Sequence, residues 1–101
     1  LNNIAEGHFT LTEEQRRFKE MLSECPVLEG YWDFDDRSCD VERLRNDLRV
    51  LSRGEAIMAT FFLSVWSGQH EPEFDVIDAA RSLDQEHLDI IVRWLSDPVF
   101  P

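Results

Sequence analysis

Residues 52–68, SRGEAIMATFFLSVWSG, constrain the fold more than any other part of the chain. From 56 to 66 only Thr60 and Ser64 interrupt a run of apolar residues. Ser52 followed by Glu55 is a capping box, in which hydroxyl and carboxylate satisfy amides that the first helical turn leaves unpaired. Gly68 takes up a left-handed conformation without steric penalty and so ends a helix well. Together these signals predict a helix over about 53–67. A helix apolar on every side belongs in a core or a membrane, and a span needs roughly 20 apolar residues. This run falls short, so the other elements are expected to wrap it. A buried strand over 60–66 is the competing reading, because short apolar runs are ambiguous by periodicity alone. The cap and the glycine decide for helix.

The flanking segments read as amphipathic helices. Thr12 with Gln15 forms a second capping box, Glu13 and Glu14 suit the positive end of the helix dipole, and Phe18, Met21, Leu22 and Cys25 form one apolar stripe. Pro26 is expected to stop that helix. Asp40 caps a helix carrying Val41, Leu44, Leu48 and Leu51. Asp75 or Asp78 starts a short one carrying Val76, Ile77, Ala79, Ala80 and Leu83. Asp84 caps the last, with Leu88, Ile91, Val92 and Leu95 as its core stripe and Trp94 beside it; Asp97 and Pro98 close it, and 99–101 trail. Residues 1–11 lack periodicity and read as an arm, with Ile4 and Phe9 available to pack. A chain of 101 residues is long enough for one core and too short for two. The expectation is a single all-α domain over 1–101, a compact bundle of four to five helices around a buried central one.

Composition bounds the chemistry. A 43% hydrophobic content with three Trp and seven Phe argues for a folded chain. A net charge of −11 repels phosphates, which disfavours direct DNA or RNA binding. Neither a membrane span nor a signal peptide is legible, and a cytoplasmic location is the default. Cys25 and Cys39 make no disulfide framework and are expected to be reduced. Arg43, Arg45, Arg49 and Arg53 cluster before the central helix, either pairing with acids of the fold or docking an acidic partner. His70 lies near Glu71, Glu73 and Asp75, an oxygen-rich set that could hold a metal. Asp84 and His87 share a helix face, but Asp84 is better used as a cap. No glycine-flanked serine elbow and no phosphate-binding glycine pattern occurs. The chain is therefore expected to be non-catalytic, without cofactor or metal.

Residues 26–40, PVLEGYWDFDDRSCD, are the least regular stretch. Tyr31, Trp32 and Phe34 alternate with Asp33, Asp35 and Asp36, a pattern that lets a short strand bury one face. The aromatics either anchor this segment to the core or form a contact surface. The second reading makes these six residues a partner-binding set, combining hot-spot residue types with charges that select a basic partner. The expected function is a small acidic interaction module, such as an inhibitor or immunity-type antagonist, docking on a basic protein surface, with self-association through exposed aromatics a further route. One alternative is a nucleic-acid mimic that inhibits a DNA-binding enzyme. Another is a small metal-binding or hydrolytic protein using His70 or His87. From Phe62 to Trp66 (FLSVW), through Phe74, Asp75 and Asp84 to the stripe ending at Leu95 and Pro98, the C-terminal half resembles a family of short uncharacterised bacterial proteins associated with plasmids and mobile elements. That resemblance implies a setting in which antagonists of host or competitor proteins are common, and supplies no site residue.

Overall fold

The computed structural model describes residues 10–69 and 74–101. Most of the expected N-terminal arm, with Ile4, His8 and Phe9, lies outside them, as do His70, Glu71, Pro72 and Glu73. Among the described residues six helices and one hairpin follow in order: α1 Glu13–Leu22, α2 Pro26–Glu29, β1 Trp32–Asp33, β2 Ser38–Cys39, α3 Val41–Asp47, α4 Arg53–Ser67, α5 Val76–Ser82 and α6 Gln85–Ser96. The two strands pair antiparallel, Trp32 opposite Cys39 and Asp33 opposite Ser38. The architecture is the mostly helical domain that the sequence predicts.

Helix α4 is the centre. Both halves of its capping box form, and Gly68 ends it at φ 71°, donating its amide to Ser64 and Val65 carbonyls. Every residue from Ile57 to Leu63 is buried, so no face is left for water. The two hydroxyls in this run are satisfied locally, Thr60 donating to the Ile57 carbonyl at 2.8 Å and Ser64 to that of Thr60 at 3.0 Å. Neither therefore leaves a hydroxyl unpaired in the interior.

Around it the N-terminal caps are those the sequence predicts, with Asp75 rather than Asp78 opening α5. Thr12 and Gln15 cap α1 reciprocally, and Asp40, Asp75 and Asp84 accept backbone amides at the starts of α3, α5 and α6. Pro26 behaves differently from the expectation. Helix α1 already ends at Leu22, and Cys25 takes the non-helical φ −126°, ψ 74° that a following proline imposes. Pro26 then opens α2 from its first position, where a missing N–H is no loss.

Two apolar assignments are corrected. In α6 the buried pair is Ile90 and Ile91, whereas Val92 is 49% and Leu95 60% exposed. The reason lies outside the helix: Trp94 packs edge-on against Phe61 of α4 at 5.6 Å, and Arg93 reaches Glu24 beyond α1 at 2.6 Å. These contacts turn Leu95 and Val92 outward. In α5, Val76 and Ile77 are exposed and Ala80 faces water, so that Ala79 and the part-buried Leu83 make the core contact. Nor does the C-terminus trail. Val99 is 2% exposed, its carbonyl accepts the Trp94 indole N–H at 3.0 Å, and the Phe100 amide donates to Glu14 at 2.8 Å.

These positions give a direct test in denaturant unfolding. Ile91→Ala should lower stability by about 2–4 kcal/mol through lost burial and a cavity. Leu95→Ala should stay within about 0.5 kcal/mol of the parent, as exposed positions do. The reverse order would mean that α6 is rotated from the orientation described.

Candidate functional site

The segment from α2 to β2 resolves the choice between anchored and exposed aromatics. Tyr31 and Trp32 are buried at 9% and 6% exposure, and Phe34 is half-buried against the core. Trp32 meets Phe18 at 5.7 Å and Phe62 at 6.4 Å. Phe34 meets Phe18 and Trp66, each at 6.2 Å, and carries the Lys19 ammonium 5.6 Å from its ring centre. The rings are thus roots, and unavailable as wholly exposed contacts.

Tyr31 is held from two further sides. Its hydroxyl donates to Asp47 of α3 at 2.5 Å, and the Arg43 guanidinium lies 4.3 Å over its ring while also donating to the Gly30 carbonyl. The bond to Asp47 comes first in raising the phenol above its ordinary value, because ionising the hydroxyl would set two anions together. No sequence signal links Tyr31 to Asp47; only the turn between β2 and α3 brings them together.

The carboxylates project from this base. Asp33, Asp35 and Asp36 are all exposed. Asp33 Oδ1 accepts the amides of Asp35 at 3.0 Å and Asp36 at 3.1 Å, which fixes the turn. Arg37 follows with φ 53°, the left-handed residue that brings the chain back into β2. None of the three carboxylates makes an ion pair among the described residues. The arginines nearer the centre are already engaged, Arg43 with Asp40 at 3.3 Å and Arg53 with Asp78 and Ser82. These two use the acids of the fold, as the first of the two sequence readings has it, whereas Arg49 has no ion pair among the described residues.

The other candidate chemistry is dispersed or suppressed. Asp84 Oδ1 accepts the His87 amide at 2.9 Å and lies 2.9 Å from His87 Nδ1. The backbone bond from His87 is the first cause of a lowered Asp84 pKa, which identifies this carboxylate as a cap before anything else. Among the described residues no three His, Cys, Asp or Glu side chains are grouped to hold a metal, and the His70 set falls outside them. Cys25 and Cys39 are free thiols. Burial pushes Cys25 up to about 11, aided by Glu24, Asp84 and Glu55, and pushes Cys39 up to about 12, aided by Asp40. Among the described residues no helix is long and apolar enough to cross a membrane. Comparison with protein-family models, curated proteins and solved structures finds no match for this chain.

The thiols supply a measurable consequence. A raised thiol pKa means less thiolate, the reactive form, at any given pH. At pH 8 the folded chain should react with Ellman's reagent at least about tenfold more slowly than the denaturant-unfolded chain. Equal rates would show that neither thiol is held in the buried, acid-flanked surroundings described.

Proposed function

We propose that this chain is a non-catalytic docking module whose acidic hairpin binds a basic protein surface. The observation that carries the reading is the pairing of opposites in one turn: three exposed carboxylates without ion-pair partners among the described residues, standing on aromatic roots locked into the core. A fixed charged tip loses little conformational entropy when it binds, so more of its interaction energy survives as affinity. Exposed carboxylates also accelerate encounter with a basic partner and reject acidic ones. With a Debye length of about 8 Å at physiological salt, such docking depends strongly on ionic strength.

Because Tyr31 and Trp32 are committed to the interior, the contact set narrows to Asp33, Asp35 and Asp36 with the open edge of Phe34. The test is a triple variant, Asp33→Asn, Asp35→Asn and Asp36→Asn, which keeps the Oδ1 acceptor that shapes the turn. The immobilised parent chain should retain a basic partner at low salt and release it at high salt. The triple variant should bind that partner at least about tenfold more weakly while melting at the parent temperature. Undiminished binding by the variant would end the hairpin reading. Release of the captured partner by duplex DNA would place its contact surface on a phosphate-binding face.

A further inference from the structure

The last two turns of α4 carry a feature that neither the hairpin nor the caps use. Phe61, Val65 and Gly68, with Ser64 between them, recur at the three- and four-residue spacing that places side chains on one helix face. That face floors a cavity of about 250 Å³, walled by Phe74, Trp94 and Phe100, with Gln69 at one end. A Cβ added at Gly68 would meet no atom within 4 Å among the described residues, so the glycine that ends α4 also leaves the mouth open.

The walls are rings held in place by the fold itself. Phe61, buried at 2% exposure, meets Phe74 at 5.7 Å and Trp94 at 5.6 Å, and Trp94 in turn meets Phe100 edge-on at 5.7 Å. The Trp94 indole N–H donates to the Val99 carbonyl, and the Phe100 amide donates to Glu14. Walls ordered in advance spare a ligand that entropic cost. Phe100 nevertheless stands 56% exposed, an apolar ring half in water beside the cavity.

Charge decides what kind of molecule fits. Charged residues make up 31% of the chain, yet none lines this cavity among the described residues. The cavities between α1 and α6, at the α1–α2 corner, beside the hairpin and between the end of α3 and α5 all include carboxylates. An ion entering the aromatic cavity would give up water without gaining a counter-charge. Attraction of a cation to the ring faces recovers only part of that loss. The polar groups that are present are neutral. Ser64 donates its hydroxyl proton to the Thr60 carbonyl, and the Gln69 side-chain amide has no hydrogen-bond partner among the described residues. That amide offers both donor and acceptor at the end of the cavity.

We infer that this cavity binds a small, neutral, planar aromatic molecule, its ring seated among Phe61, Phe74, Trp94 and Phe100 and its one N–H or O–H bonded to the Gln69 amide. A cavity of about 150 Å³ admits a benzene ring, so this one has room for one ring or two fused ones. A flat ring extends the edge-to-face array that the walls already form, which an aliphatic molecule of equal size does not. It also covers the open face of Phe100. The peptide units flanking a partner's side chain would lie against Phe100, which offers them neither donor nor acceptor, so a free molecule is the better fit.

The experiment follows the backbone amide resonances of Val65 and Gly68 while phenol is added to the whole chain. Saturable shifts are expected. Cyclohexanol, matched in size but not flat, should bind about three- to tenfold more weakly. Benzoate and phenyltrimethylammonium should each bind at least about tenfold more weakly, because each brings an unmatched charge. Ser64→Leu, which fills the floor and removes only a bond within α4, should abolish the shifts. If that variant proves unfolded, Phe100→Ala, at an exposed position, should weaken phenol by about three- to tenfold instead. No saturable shift with phenol, or equal binding of cyclohexanol or of either charged probe, would overturn the inference. So would tighter binding by an alanine-rich peptide with one central tyrosine, which would make the cavity a protein-docking groove. The triple hairpin variant should bind phenol as the parent does, so failure of the hairpin reading and failure of this one are told apart.

Discussion

The structure depends on one aromatic interlock. Phe18 of α1 stands among four rings, Trp32 at 5.7 Å, Phe34 at 6.2 Å, Phe62 at 5.8 Å and Trp66 at 5.3 Å, drawn from the hairpin and from α4. Such contacts contribute about 0.5–1.5 kcal/mol each beyond burial of area. They also join segments distant in sequence at a single point. Trp32 shows which effect prevails there: its indole N–H is buried with no hydrogen-bond partner among the described residues. An unsatisfied buried donor costs about 1–3 kcal/mol. Burying the ring itself recovers more than that, because large aromatics dominate the energetics of a core this small.

Once the rings are assigned to the interior, the acidic residues have few places to go. Several become caps, and the exposed arginines take others: Arg16 lies between Glu13 and Glu20, and Arg17 reaches Asp97 at 3.1 Å. These pairs lie at the surface and are each worth little. Their effect is positional, for Arg17 and Glu14 tie the C-terminal segment to the start of α1. Among the described residues Asp33, Asp35 and Asp36 stand without ion-pair partners at the hairpin tip, as Glu29, Glu42 and Glu86 do elsewhere on the surface. The rigidity of that tip is a by-product of the interlock beneath it.

How much of this was legible in the sequence follows from the range of each interaction. Caps are local, so Ser52 with Glu55, Thr12 with Gln15, Asp40 and Asp84 mark their helix starts in the sequence, and Asp75 is one of the two residues that could open α5. The orientation of α6 was not local. Leu88, Ile91, Val92 and Leu95 satisfy helical spacing as well as the buried set does, and only Phe61 and Glu24, distant in sequence, decide which side turns inward. The same holds for Val99, whose burial depends on the Trp94 indole. The alternation of the six hairpin residues predicts an in-and-out pattern without saying which half stays outside.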